Sequence, residues 1–480
     1  MSLPSAVLRL LTLAAVLTAG PALRAQDSET EDETTRHLAS LRARLDDPTI
    51  DLGIREDLAA EMVGTLDRAA RAESKLQPKL ARWDAAVALL DEFSGKIPDH
   101  PRRREFQLQA AVYRWAQART WRDRRALFPA ESGAAAKESE ALDDAIFRLR
   151  MIVGGEAGVL TDNIRFRLAW ALTDRAALED AAAPTAVSRR EEALELLKQP
   201  PTEPSLEGFH ALLKAELLRT TGRLDEAVGL LEAAGKAPSP PPEGEWIDAL
   251  VRTLIDQRRY DQARRKIDAS QLSASSRDLE HVHVDVAELN LSAEGTDKSG
   301  LLAAEADLLK RFRSLTEAKA PELRMALSEA STLGPKLSEE ASAALWDFLA
   351  QGLELRGEYA EAAGASAKAA DKAEREGRRE AAGDGRLRAG GFLFQAGRYA
   401  EADALLERVA SDAEAGPARP RASLLQALAK AKLGGEAASP SAAYEVALRN
   451  HLKEFPDDPT SIEARWLLAN LEQARGHRGE

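Results

Sequence analysis

The chain has 480 residues, of which 66 are basic and 79 acidic, so its formal charge is −13. This acidic balance argues against broad binding to a nucleic-acid backbone, which needs clustered lysine and arginine. The lack of any cysteine excludes disulfides, thiolate zinc sites, cysteine nucleophiles and iron–sulfur clusters. With 44% hydrophobic and 30% charged residues, the sequence can form a core and is not typical of a disordered chain.

Residues 1–25 have the features of a secretory signal peptide. Arg9 precedes an apolar run over residues 10–19, and Ala25 offers a small residue for cleavage. The run is shorter than the roughly 20 residues that a membrane-spanning helix needs, so we expect cleavage after Ala25 rather than retention as an anchor. The mature chain is then exported and has no integral membrane segment. Export without cysteine favours the periplasm or cell surface of a bacterium.

Residues 26–38 form an acidic segment in which five of the seven residues from Asp27 to Glu33 are acidic. This run has no apolar periodicity, so we predict a flexible segment here. From about Thr34 onward, leucine, alanine, glutamate and arginine dominate, and apolar residues recur at steps of three and four. That pattern predicts helices.

Proline clusters interrupt the helical pattern at short intervals. Proline cannot donate the backbone hydrogen bond that a helix interior needs, so each cluster should end a helix. Helices of roughly 10–18 residues fit between the clusters, and short connections give antiparallel neighbours. The clusters occupy residues 98–101, 200–204, 238–242, 416–420 and 456–459.

A six-residue turn pattern recurs, with glycine first, leucine or tyrosine third, and alanine sixth. It begins at Gly222, Gly357 and Gly397, and a copy without the glycine begins at Arg258. Glycine readily adopts the left-handed conformation that ends a helix. The leucine or tyrosine should pack between two helices, and the small alanine lets those helices approach closely. Each copy therefore predicts the corner of a helical hairpin.

These turns resemble those of the tetratricopeptide repeat family, whose 34-residue unit is a helix–turn–helix. Trp346, Leu349, Ala350 and Leu353 stand where the family pattern has Trp, Leu, Gly and Tyr, and Gly357 follows. The clear matches cover residues 208–272 and 343–412. The resemblance implies an all-α fold, an α-solenoid of antiparallel helical hairpins.

The repeat pattern also suggests how the chain is divided. The 99 residues from Arg258 to Gly357 would hold about three degenerate units. We predict a signal peptide at 1–25, an acidic flexible segment at 26–38, a diverged helical-hairpin array at 39–205, repeats at 206–272, degenerate helical repeats at 273–342, and repeats with a C-terminal cap at 343–480.

In the family that the sequence resembles, the first helices of the hairpins line a concave wall that binds extended peptides or partner helices. Family members that bind chaperones place lysine and asparagine on this wall to clamp a carboxylate, and this sequence has neither there. A mixed-charge wall suits an internal segment of a protein partner instead. The register places Glu216, Arg219, Asp248, Arg252, Asp347, Gln351 and Glu354 on it.

We therefore expect a non-enzymatic scaffold that binds a protein or peptide and uses no cofactor. One alternative is a structural or oligomerising component of the envelope with no discrete client. Another is an enzyme with a site in residues 40–200, the region that fits the repeat least. No His-Glu-x-x-His, Gly-x-Ser-x-Gly or phosphate-loop motif is present, so we predict no catalytic residues.

Residues 280–285 form the one cluster that resembles a metal site, with Glu280, His281, His283 and Asp285. On a strand, the last three would share a face. On a helix, His281 and Asp285 share a face and His283 points away from His281. The flanking residues favour a helix, so we predict no metal site here.

Residues 102–125 are rich in arginine and aromatic residues. This composition could serve a nucleic acid or an acidic partner. The prediction that we favour is a helix whose tyrosine and tryptophan face the core while the arginines extend to solvent.

Overall fold

The computed structural model describes residues 27–127, 133–156, 158–292, 298–336, 341–434 and 442–474. The predicted signal peptide lies outside these ranges. The described residues form 21 α-helices and no strand, which confirms the all-α prediction. In chain order the helices are α1 (Asp27–Leu45), α2 (Leu52–Ala72), α3 (Leu76–Lys96), α4 (Arg103–Leu127), α5 (Ala134–Ile152), α6 (Val159–Ala176), α7 (Pro184–Leu196), α8 (Glu207–Thr220), α9 (Leu224–Ala234), α10 (Glu243–Asp256), α11 (Tyr260–Asp268), α12 (Ala274–Ser292), α13 (Lys298–Glu317), α14 (Leu323–Ala330), α15 (Ala343–Leu355), α16 (Tyr359–Arg375), α17 (Arg379–Gln395), α18 (Tyr399–Ser411), α19 (Ala418–Leu433), α20 (Ala442–Glu454) and α21 (Thr460–Ala474).

The chain packs as two compact units. One holds the residues up to Thr120 together with Ala141–Gly155, and the other holds Trp121–Glu140 and the chain from Glu156 onward. The division predicted from the repeat pattern, with boundaries at 205, 272 and 342, stays a prediction. Within the described residues, no helix is both long enough and apolar enough to cross a membrane.

The first helix begins earlier than the sequence pattern suggested. We expected helices from about Thr34, but α1 already begins at Asp27, so the acidic run forms its first turns.

The proline clusters end helices as predicted. Helix α3 ends at Lys96 before the first cluster, and α7 ends at Leu196 before the second. The third cluster separates α9 from α10, the fourth coincides with the start of α19, and the last separates α20 from α21. A proline lacks the donor that a helix interior needs, and Pro420 is tolerated because it lies in the first turn of α19, where no donor is required.

In the first unit, the aromatic side chains of α4 lie inside and its arginines lie at the edge. Tyr113 and Trp115 are buried. Between them, Arg114 forms ion pairs with Asp84 of α3 at 2.5 Å and with Asp144 of α5 at 2.7 Å. This confirms the interpretation of the 102–125 segment as a helix with core-facing aromatics.

In the second unit, the glycines of the turn pattern end helices in the left-handed conformation. The φ angles are 79° at Gly222, 75° at Gly357 and 74° at Gly397. After each glycine, the next amide donates to a carbonyl five residues back, as from Arg398 to Leu393 at 2.9 Å. This is the Schellman motif, and it satisfies carbonyls that the helix end would otherwise leave without a donor.

The structure contains further copies of this turn. Gly377, which the sequence pattern missed because Arg379 replaces the tyrosine, has a φ of 76°. Arg258 and Lys319 adopt φ angles of 59° and 49° without being glycine. Arg258 lies at the position predicted from the degenerate copy of the pattern.

The interval from Arg258 to Gly357 is less regular than three repeats would be. Three hairpins would supply six helices, but the described residues hold five, α11 to α15. Helices α12 and α13 are 19 and 20 residues long, while α14 has only 8. The described helices of this interval correspond to two or three hairpins, so the estimate of about three units stays a prediction.

Candidate functional site

The predicted binding residues lie on the first helices of successive hairpins. Helix α8 packs against its second helix α9 and against α10, and α10 packs against α11 and α12. A shared core of buried aliphatic side chains holds α8 to α12 together. It leaves one side of each first helix for polar residues. We call the polar residues on α8, α10 and α12 the first-helix row.

At the start of this row, Arg219 joins two helices. Its guanidinium donates to both carboxylate oxygens of Glu216 on α8 at 2.8 Å and to Asp256 on α10 at 2.7 Å. The hydrogen bonds to Glu216, and then those to Asp256, raise the pKa of Arg219 above its ordinary value in spite of partial burial. The structure therefore brings Glu216 and Arg219 together as predicted and adds Asp256.

Further along the row, Arg252 pairs with Asp248 one turn away on α10, with Nε 2.6 Å from Oδ1. Burial disfavours the charged guanidinium, but Asp248, Glu329 and Glu280 outweigh it and raise the pKa of Arg252. Arg252 therefore pairs with Asp248, and carboxylates on α12 and α14 also favour its charged form.

The remaining predicted residues form a separate group on α15 and α17. Asp347 forms an ion pair with Arg388 of α17 and accepts a hydrogen bond from Gln351 at 3.2 Å. Glu354, one turn beyond Gln351, is exposed. Trp346, also on α15, makes a cation–π contact with Lys368 of α16, whose Nζ lies 4.3 Å from the centre of the ring.

The sequence analysis did not single out Asp256 or Arg388, and it named Glu280 and His283 without predicting that they lie near Asp248. No turn signature fixes the register of α12 between residues 273 and 342, so its approach to α10 could not be predicted. The spacing of Glu280 and His283 at i and i+3 places both on one side of α12, and that was the available signal.

Helix α12 carries five ionisable side chains that are all buried, from Asp278 to Asp285. His281 and Asp285 face α11, where they contact Asp268 at 3.0 Å and Arg264 at 2.8 Å. His283 instead lies beside Glu280, so the helical prediction for this segment is confirmed.

The buried position changes the acidity of the two groups that face α11. Burial raises the pKa of Asp285 to about 6, although Arg264 opposes the shift. Burial, and then the nearby Arg311, lowers the pKa of His281. Both groups are therefore closer to their uncharged forms than they would be in water.

A small cleft near the region of the alternative enzymatic prediction lies between α6 and the start of α8. Asp162, Arg165 and His210 line it. Asp162 accepts a hydrogen bond from the backbone amide of Thr202 at 2.7 Å and another from its hydroxyl. Burial lowers the pKa of His210. The carboxylate thus anchors the loop before α8, which is a structural role.

Comparisons with known proteins give only distant likenesses. No family model matches the chain, and no curated protein matches it. The solved structures to which it is similar include a signal transduction ATPase with a tetratricopeptide repeat sensor from Pyrococcus horikoshii. That protein is 17% identical with a TM-score of 0.25, and the alignment covers 84% of this chain and 56% of that one. This chain therefore spans little more than half the length of the ATPase.

Two further solved structures show similar values. Yeast Tom70 is 11% identical with a TM-score of 0.25, covering 93% of this chain and 97% of that one. A circular tandem repeat protein is 12% identical with a TM-score of 0.22, covering 92% and 89%. TM-scores this low do not support an argument about the fold. The helical-hairpin architecture of this chain is instead supported by its own turns and by the packing of its consecutive helices, which are tetratricopeptide-like.

Proposed function

We propose that this chain is a non-enzymatic interaction scaffold, exported to the periplasm or cell surface, that binds a protein partner along its first helices. The single observation that supports it most is the alignment of polar side chains on neighbouring first helices. Arg219 and Asp256 pair across α8 and α10, and Asp347 and Arg388 pair across α15 and α17. These ion pairs between neighbouring first helices support a polar surface that a partner could contact.

The partner that fits this surface is an extended, mixed-charge segment within a protein. Most charged groups on the surface already have a neighbour of opposite charge, so a partner of one sign only would have to displace those pairs. Glu354 is exposed and extends the α15 group beyond Asp347 and Gln351. It is therefore the position from which a bound segment can be detected with least damage to the fold.

A site-specific photo-crosslinking experiment tests this proposal. We would place a photoreactive residue at position 354 and, as a matched control, at Glu407, an exposed glutamate on the second helix α18. In living cells, position 354 should capture a discrete protein and position 407 should not. A co-expressed wild-type copy should compete and reduce this capture, whereas a Glu354→Lys copy should compete less well, which would support direct contact.

Two results contradict the scaffold. If no partner is crosslinked at position 354, the proposed binding surface is wrong. If both positions capture the same proteins equally, the binding is not specific to this surface. Export is tested separately by the N-terminal sequence of the mature protein, which should begin at Gln26.

One observation favours the oligomerising alternative. Ile462 and Trp466 lie one turn apart on α21 with 72% and 63% of their surface exposed. Large apolar side chains that lie exposed next to each other often mark a protein–protein interface. Light scattering after size-exclusion chromatography distinguishes the two functions. A protein that stays monomeric at every concentration would contradict the oligomerising function.

A further inference from the structure

Three side chains of metal-ligating type meet in the first-helix row. Asp248 extends from α10, and Glu280 and His283 extend from α12. One ligand atom from each of these residues lies within 4.8 Å of the other two. The turn signatures did not predict this meeting, because it depends on how α10 packs against α12.

Two of these side chains are buried without the partners that they require. Glu280 is 9% exposed and His283 is 8% exposed. Oε2 of Glu280 and Nδ1 of His283 are both buried and have no hydrogen-bond partner. They lie 3.5 Å apart, which is too long for a good hydrogen bond. Burying such groups without a partner destabilises the fold, so their persistence points to a ligand between them.

The charge around the cluster favours a cation. Asp248, Glu280 and Glu329 act on the single guanidinium of Arg252. Three carboxylates therefore share one guanidinium, which leaves an excess of negative charge near the cluster. Arg252 contacts Oδ1 of Asp248, and the carboxylate has a second oxygen to offer. A divalent ion would balance this charge.

We propose that Asp248, Glu280 and His283 bind one divalent transition-metal ion of the zinc class. The mixture of one imidazole nitrogen and two carboxylates is typical of zinc, whereas calcium and magnesium prefer oxygen ligands alone. Ligands at 2.0–2.2 Å from a tetrahedral ion lie about 3.4 Å apart, so small side-chain rotations bring the three groups into place. The ion would tie α10 to α12 across the first-helix row.

Titration of the purified full-length protein with Zn²⁺ tests this assignment. The protein is first stripped with a chelator and dialysed, and binding is followed by calorimetry. We expect one Zn²⁺ per chain. Co²⁺ in its place should give the visible absorption bands of a four-coordinate site. Hydrogen exchange in α10 and α12 should slow when either metal is added, because the ion joins these helices.

Matched variants locate the site. His283→Ala and Asp248→Asn should each weaken Zn²⁺ binding by at least about tenfold. Even the loss of a group that only hydrogen-bonds to a metal ligand typically lowers metal affinity by about that factor. His281→Ala removes a histidine two residues away that faces Asp268 instead, and it should bind Zn²⁺ as the parent does. Asp248 is 38% exposed, so Asp248→Asn tests the site even if His283→Ala does not fold.

The proposal is overturned if the stripped protein shows no saturable Zn²⁺ binding. It is equally overturned if Asp248→Asn binds with parental affinity, or if His281→Ala loses binding to the same degree as His283→Ala. The readout is metal affinity, so it is independent of whether the scaffold has a partner.

Discussion

Gly352 tests the packing of the helical array more sharply than any other residue. It lies inside α15, where alanine is ordinarily the better helix former by about 1 kcal/mol. A Cβ at this position would lie 2.0 Å from the backbone oxygen of Leu327 and 2.8 Å from its carbon. Leu327 belongs to α14, so the neighbouring helix backbone occupies the space that the methyl group needs.

The expected cost follows from that distance. An ordinary contact begins at 3.4 Å, so α14 and α15 would have to separate by more than 1 Å over a buried seam. A backbone cannot rotate away as a side chain can, and overpacking of this kind costs about 1–3 kcal/mol. We expect Gly352→Ala to destabilise the protein by about that amount despite the gain in helix propensity.

Urea unfolding and hydrogen exchange at α14 and α15 measure the effect. Hydrogen exchange is included because helical arrays can lose cooperativity and unfold in parts. Gly364→Ala is the matched control: it also lies inside a helix, α16, but is exposed with no atom within 4 Å of the added Cβ. It should stabilise by about 0.5–1 kcal/mol. A Gly352→Ala variant as stable as Gly364→Ala would refute the predicted contact between α14 and α15.

Three further predictions concern the turns, the hairpin contact and the acidity of α12. Both Gly397 and Arg258 have positive φ, which favours glycine. Gly397→Ala should therefore lower the free energy of unfolding by about 1 kcal/mol, and Arg258→Gly should raise it by about 0.5–1 kcal/mol. Urea titration measures both changes, and changes of the same sign would contradict the turn geometry. Ala402→Leu should destabilise by about 1–3 kcal/mol in thermal unfolding, since Ala402 is fully buried between helices. For Asp285, the folded pKa of about 6 lies above the ordinary value of 3.8, so its folded state holds the proton more tightly and stability falls as pH rises from about 4 to 6. Asp285→Asn should remove this component, about 3 kcal/mol for the full shift, so that its stability relative to the parent grows across that window and is constant above it. A constant difference at every pH would show that the buried carboxyl does not titrate there.

The local features of this chain could be predicted from the sequence because they depend on residues that are close along it. The proline clusters end helices through a missing donor, and Gly222, Gly357 and Gly397 end them through a conformation that other residues adopt at a cost. The same local reasoning failed at two other boundaries. Asp27 begins a helix whose first turns lack apolar periodicity, and Gly377 ends a helix although the tyrosine or leucine of the turn pattern does not follow it.

The pairing of residues across helices was decided only by the tertiary structure. Seven binding residues were placed on first helices from the register, but the sequence could not show that Arg219 reaches Asp256 or that Asp347 reaches Arg388. The cluster on α12 shows the same limit. Its residues were recognised as ligands of the right type, and the helical reading correctly separated His281 from His283. The third member of the proposed metal site, Asp248, lies on α10, and its approach to Glu280 depends on helix lengths and packing distances that no local pattern encodes.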